Sequence, residues 1–307
     1  MASPANERKR AFVTGLSGFT GCYLRARLLE AGCEVMGISQ AASPELGTVQ
    51  CDLSDQSALT DILRGFQPHY VVHLAAIAYV AHDSPLEFYR VNVLGSETLL
   101  RAIEEANLAP EKVLIASSAN VYGNAVSLPI DENAIPAPTN HYANSKLAME
   151  MITRNWFDRL PIVITRPFNY TGFGQAENFL VPKIVKHFAQ GAETIRLGNL
   201  DVSRDISDVS FLVEAYYRLL QTPARSVVVN VCGGKCHSIA DILQTMEKLS
   251  GRALRVEVDP QLVRGAEVVR LFGDRSRLNT LIGDLPSPEL TDTLETMYRK
   301  YQAQYRQ

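Results

Sequence analysis

Gly15, Gly18 and Gly21 follow an apolar run ending at Thr14 and lead into a helical pattern over 18–31. Glycine permits the tight turn there and lets backbone amides approach a pyrophosphate, and the helix N-terminus adds partial positive charge. The alternation continues along the chain. Strands are predicted over 10–14, 34–38, 48–51, 70–74, 112–116 and 162–165, with helices over 18–31, 57–65, 86–107 and 140–159 between them. Nearly continuous apolar strands joined by helices imply right-handed crossovers and an α/β fold with a Rossmann-type, doubly wound parallel sheet.

After Pro167 the rhythm loosens. Helices are predicted over 181–190, 209–220, 238–249 and 289–301, with strands near Ile195 and over 227–231 and 254–258. The expected division is a dinucleotide-binding domain over 8–168, rejoined by about 204–232, and a smaller, interleaved C-terminal α/β substrate lobe over 169–307. A chain of 307 residues with 46% hydrophobic content supports a core of that size. A net charge of −3 without a basic run argues against nucleic acid. No stretch nears the roughly 20 apolar residues of a membrane span, and the polar start has no signal-peptide pattern. The five cysteines are scattered, and Cys232, Cys236 and His237 lack a second ligand pair, so no metal is expected. A cytoplasmic protein with reduced thiols is the simplest expectation.

Tyr142 and Lys146 lie four apart, on one face of the predicted helix. An ammonium beside a phenol favours the phenolate, so the pair is expected to make an acidified proton donor. Ser118 follows a predicted strand, where α/β sheets place their ligands, and its hydroxyl suits a substrate carbonyl. Asp52, with Leu53 after it, follows the third strand and could accept from an adenine amino group; a helix cap or turn is the plain alternative. Strand two ends Ile38-Ser39-Gln40, with neither an acidic residue for a ribose hydroxyl nor an adjacent arginine. Ser39 would tolerate a 2′-phosphate, and NADP(H) or NAD(H) is left open.

The glycine loop, His73-Leu74-Ala75-Ala76, Asn92, Ser118, Tyr142, Lys146 and Arg166-Pro167-Phe168-Asn169 together resemble the extended short-chain dehydrogenase/reductase superfamily, over about residues 10–280. The resemblance implies a cofactor site of Gly15, Ser17, Gly18, Phe19, Thr20, Gly21, Ser39, Asp52, Leu53, Leu74, Ala75, Ala76, Asn92, Tyr142, Lys146 and Arg166. It implies catalysis by Ser118, Tyr142 and Lys146 on a nucleotide-linked sugar. The sugar-nucleotide 4,6-dehydratases of that superfamily carry an acidic pair where this chain has Ala119 and Asn120. The segments 168–175 and 198–205 are similar to those of GDP-4-keto-6-deoxy-D-mannose reductases, although that family's histidine and proline are replaced by Tyr170 and Phe173 and its tail motif by Ile282 to Pro286.

From that similarity, Arg204 is expected on the substrate diphosphate, with Asn120, Asn169, Gln175, Lys183, Arg264 and Glu267 as further substrate contacts. His82 and His187 read as surface residues. The expected reaction is NAD(P)H-dependent reduction of a C4 ketone. A 4-epimerase that keeps its NAD and a non-catalytic NADP(H) sensor are the alternatives. A homodimer pairing the helices near 86–107 and 140–159 into a four-helix bundle is also implied by the resemblance.

Overall fold

The computed structural model describes residues 8–79, 84–263 and 268–305. The first half builds the frame. Strands Arg10–Thr14 (β1), Glu34–Ser39 (β2), Thr48–Gln50 (β3), Tyr70–His73 (β4), Lys112–Ala116 (β5) and Ile162–Pro167 (β6) alternate with helices Phe19–Glu30 (α1), Gln56–Phe66 (α2), Pro85–Tyr89 (α3), Gly95–Glu105 (α4) and His141–Arg154 (α5). The second half contributes strands Asn169–Thr171 (β7), Thr194–Leu197 (β8), Ser203–Asp208 (β9), Val227–Val231 (β10), Cys236–Ser238 (β11), Arg255–Val258 (β12) and Arg270–Leu271 (β13). Its helices are Leu180–Gln190 (α6), Val209–Leu220 (α7), Ile239–Ser250 (α8), Ser276–Ile282 (α9) and Leu290–Tyr305 (α10).

Seven parallel strands form one sheet in the order β10-β6-β5-β4-β1-β2-β3. Order reverses between β1 and β4, and the crevice at such a reversal is where a doubly wound sheet binds ligands. One face is buried by α1 and α7, through Leu24, Leu28, Leu212 and Tyr216; the other by α2, α4 and α5, through Leu59, Leu63, Leu99 and Met149. A second core, with Ile184, Phe188, Ile242, Met246 and Met297, joins α6, α8 and α10 over a four-stranded sheet of β7, β9, β11 and β13. The chain re-enters the large sheet at Val209 through α7 and β10; β9, at 203–208, belongs to the small sheet, so the return begins later than residue 204.

Two helices depart from the sequence expectation. The stretch read as one helix over 86–107 is broken by a π-helical turn, Arg90–Leu94, between α3 and α4. Asn92 explains the break: its side chain accepts from the Ile77 amide (2.9 Å) and donates to the Ile77 carbonyl (3.2 Å) and Ser145 Oγ (3.0 Å). Inward bonds of this kind widen a helical turn, and such turns gather at functional sites. The helix predicted to Arg159 ends at Arg154, because Trp156 folds over to donate to Glu97 (3.1 Å).

Candidate active site

The glycine loop closes on the ends of β1 and β4. Gly15 has φ +72°, and a Cβ there would stand 2.8 Å from the Ala75 amide nitrogen. A Cβ at Gly21 would stand 2.2 Å from the Gly15 carbonyl oxygen, so helix and loop touch backbone to backbone. Gly18 caps α1 without a side chain, and no acidic residue occupies the first turn. The positive end of α1 is thus left to an external anion, and the cradle fits the pyrophosphate of a dinucleotide.

Around this loop the structure sorts the expected cofactor residues into two groups. Ser17 is exposed beside the loop, and Leu74, Ala75 and Ala76 line the exit of β4, half-buried. Ser39 ends β2, and its hydroxyl accepts from the Ala41 amide (3.4 Å). Asp52 is exposed, with Oδ1 taking the Ser54 amide (2.8 Å) and hydroxyl (2.7 Å) in a turn; those bonds hold its carboxyl below the usual carboxylate range. Leu53 packs over Gly95, where a Cβ would meet it at 2.6 Å. Phe19 and Thr20 instead face the substrate lobe: Phe19 stacks on Tyr170 (6.2 Å between ring centres, 7° between planes), and the Thr20 and Tyr170 hydroxyls bond at 2.8 Å.

Asn92 and Arg166, both expected on the cofactor, are engaged within the protein. Asn92 is fully buried and holds the β4 exit to the Ser145 of α5. Arg166 is 2% exposed and donates Nε and Nη2 to the two oxygens of Glu150 (2.9 and 2.6 Å) while its guanidinium lies over the Tyr122 ring. A guanidinium at the end of β6 beneath the sheet's rim meets the carboxylate of α5 before it can reach a ligand.

The three catalytic candidates converge. Asn140 caps α5 by accepting from the Ala143 amide (2.9 Å), which fixes Tyr142 in the first turn against the Phe88 ring. Ser118, at the end of β5, lies beside the Tyr142 phenol and lowers its pKa slightly; its Oγ accepts from the Asn120 amide and side chain, each at 3.2 Å. Lys146 is buried and donates Nζ to the Ala116 carbonyl (2.8 Å).

The electrostatics correct the expected acidified phenol. Burial pushes Tyr142 up to about 12, only partly offset by the nearby Ser118 hydroxyl. Burial pulls Lys146 down to about 8, opposed by Glu150. The phenol is therefore protonated at neutral pH, and the lysine one helical turn away donates to the Ala116 carbonyl instead of to it. His73, buried between Thr14 Oγ1 (2.6 Å) and Ser96 Oγ (2.8 Å), is held neutral, pushed down to about 3 by burial and then by the Lys146 cation.

The expected substrate residues are less concentrated. Asn120 braces Ser118, and Asn169 is exposed on β7. Gln175 ties its own loop, donating to the Tyr170 carbonyl (3.2 Å) and accepting from Thr171 (2.8 Å). Lys183 donates to the Arg196 carbonyl (2.6 Å). Arg204, on β9, is half-buried beside His237 of β11 and donates to the Ser203 and Val269 carbonyls (3.0 and 3.2 Å). Arg264, Glu267 and His82 lie outside the described residues. Among the described residues no group of three His, Cys, Asp or Glu side chains is placed to hold a metal.

Sequence reading missed Glu150, Ser117 and Tyr170. Glu150 was legible as the next member of the helical stripe after Tyr142 and Lys146. Ser117 and Tyr170 carried no local signal, because their partners are 33 and 150 residues away.

Residues 12–297 match the family described as GDP-mannose 4,6 dehydratase. The chain is 35% identical to GDP-6-deoxy-D-talose 4-dehydrogenase of Aggregatibacter actinomycetemcomitans, over 94% of this chain and 97% of that protein. It is 33% identical to GDP-6-deoxy-D-mannose reductase of Pseudomonas aeruginosa, over 97% and 99%. Two solved structures superpose closely. One, solved as a candidate epimerase of Burkholderia cenocepacia, has a TM-score of 0.90 at 43% identity and covers 96% of this chain and 98% of that one. The other, RMD from Pseudomonas aeruginosa complexed with NADPH, has a TM-score of 0.86 at 32% identity and covers 96% and 99%.

Proposed function

We propose that this chain, which belongs to the GDP-mannose 4,6 dehydratase family, is a reductase within it: an NAD(P)H-dependent enzyme acting on the C4 ketone of a nucleotide-linked 4-keto-6-deoxyhexose, GDP-4-keto-6-deoxy-D-mannose first among them. The observation that carries this is Ser118 beside the buried Tyr142 phenol, with Ala119 and Asn120 next to it and Asn120 bonded to Ser118. Dehydration needs a base to take the C5 proton; Ala119 has none, and the Asn120 amide is not basic and is turned onto Ser118. Reduction needs a protonated acid near the carbonyl oxygen. A phenol pushed up to about 12 is in that form.

The residues of this chain divide the work. Ser118 donates a hydrogen bond to the carbonyl oxygen and fixes its position. Tyr142 passes its proton to that oxygen as negative charge develops there, and the phenolate left behind is stabilised by the Lys146 cation one turn along. The dinucleotide, when bound, supplies the hydride. The fit of the glycine cradle supports such a cofactor, and a relative solved with NADPH supports the phosphorylated form. Gly15, Gly18 and Gly21 would hold its pyrophosphate and Lys146 its nicotinamide ribose.

The relatives include a reductase and a talose dehydrogenase, which bear on opposite C4 configurations. The test is to supply GDP-4-keto-6-deoxy-D-mannose with NADPH or NADH and follow absorbance and product. One reduced cofactor consumed per ketone supports the reading, and the product, GDP-D-rhamnose or its C4 epimer GDP-6-deoxy-D-talose, identifies the face attacked. An epimerase is the second reading, favoured by the candidate epimerase at 43% identity. Sugar interconversion with no net consumption of NAD(P)H would establish it and end the first.

The assembly and location belong to the same proposal. Leu94 is 60% exposed before α4 and Met151 50% exposed on α5, apolar surface that a homodimer through a four-helix bundle would cover. Light scattering on Met151→Lys tests it. Among the described residues no helix is long and apolar enough to cross a membrane, and all five cysteines are unpaired. A cytoplasmic location accords with the thiols.

A further inference from the structure

We propose that Glu150 is a positioning residue for this reduction: a fixed counter-charge, clamped by Arg166 and Ser117, that keeps the buried Lys146 side chain an ammonium beside Tyr142. The inference rests on the reading of Tyr142 and Lys146 as the reacting pair. It adds a task to a carboxylate that makes no contact with the reacting atoms.

The geometry begins with α5. Tyr142, Lys146 and Glu150 follow at four-residue steps and all three are buried, so they form one stripe aimed at the ends of β5 and β6. Two consecutive residues of β5 and its exit grip that stripe. The Ala116 carbonyl accepts from Lys146 Nζ (2.8 Å), and Ser117 Oγ donates to Glu150 Oε1 (2.5 Å). From β6, Arg166 closes on both Glu150 oxygens. The carboxylate therefore cannot swing away from the lysine.

The groups around Lys146 leave Glu150 as its electrostatic support. His73 faces it from β4 as a neutral ring, satisfied by Thr14 and Ser96. From β5 it meets a carbonyl, which is a dipole and not a charge. On its own helix Tyr142 is protonated. Arg166, the other nearby cation, is paired with Glu150. Burial drives the lysine toward the neutral amine, down to about 8, and Glu150 opposes it.

Stability alone gives little reason for the pair. Burying two charges costs desolvation that their attraction barely returns, and apolar replacements often serve a core as well. Here Arg166 Nη1 has no hydrogen-bond partner, although the guanidinium is buried. A pair so placed, one turn beyond the lysine, is explained by the charge it presents.

The test is the titration of Lys146 in the full chain, without added cofactor, by nitrogen NMR of ε-15N-labelled lysine. The chain has eight lysines, so Lys146→Met assigns the signal. Glu150→Gln is expected to lower the pH of half-titration by about one unit or more, and Glu150→Asp, which keeps the charge, to retain most of the original value. Glu150→Gln strands Arg166 in the core and threatens folding. Glu150→Leu with Arg166→Met leaves no unpaired charge and is the second variant, with a smaller shift in the same direction. In the loaded enzyme the fall of kcat at high pH should move down by the same amount while KM holds. A Lys146 midpoint unmoved in the folded variant overturns the proposal. A midpoint that moves in a protein that reduces no ketone supports it and removes the reductase reading instead.

Discussion

The catalytic face and the substrate lobe are built on opposite principles. On the catalytic face the key polar groups are buried and tied to partners on other elements: Lys146 to the β5 carbonyl, Asn92 to Ser145, Glu150 to Arg166 and Ser117. In the substrate lobe the described candidate contacts stay open: Asn169 is exposed and Gln175, Lys183 and Arg204 are half-buried. Chemistry requires groups fixed in a dry setting where dipoles and charges act at full strength. Recognition of a charged, hydrated ligand requires groups that can still reach solvent. The two regions meet at Tyr170, which belongs to the lobe by its strand and to the cofactor loop by its bond to Thr20.

The contrast predicts a kinetic division, and the largest effect tests it first. Tyr142→Phe removes the proton donor and should cost about 10²- to 10⁴-fold in kcat, with NADPH binding and thermal stability nearly unchanged; a variant with normal turnover would break the assignment of the catalytic face. Arg204→Ala should act the other way, raising KM roughly 10- to 100-fold through the loss of charge-assisted bonds to a diphosphate while kcat survives. A fall in kcat at constant KM would place Arg204 among the catalytic groups and dissolve the division.

A pH profile sharpens it further. Lys146 carries its charge below about 8 and loses it above, whereas the Tyr142 phenol stays protonated up to about 12. Reduction should therefore hold level below pH 8 and decline about tenfold per unit beyond it, with the descending limb set by the lysine. If the limb instead appeared near pH 6, another group would be governing the chemistry. The smallest effect belongs to the junction. Tyr170→Phe keeps the stack on Phe19 and deletes the bond to Thr20, so it should cost about 1 kcal/mol of stability by denaturant melt, together with a modest rise in the NADPH dissociation constant. No change in either measurement would show that the two regions are not joined there.

How far the sequence could be read follows the same contrast. The parallel strands and the glycine turn were legible because each depends on local apolar runs and on a backbone that only glycine permits. Ser118, Tyr142 and Lys146 were legible because a strand end and a helical step place them. The small sheet was not: β7, β9, β11 and β13 are short, and they pair with segments far away along the chain. Arg166 looked like a ligand residue because it sits at a strand end; only the packing of α5 against β6 reveals Glu150 opposite it.

By itself the sequence determined the doubly wound frame, the dinucleotide cradle and which three side chains gather at the rim of the sheet, since these follow from spacing and from conformations fixed within a few residues. Tertiary structure decided the π turn at Asn92, the protonated state of Tyr142 and the partner of Lys146. Each of those depends on burial and on groups brought together from distant segments. Desolvation grows with everything packed around a charge, and four residues of helix cannot disclose it.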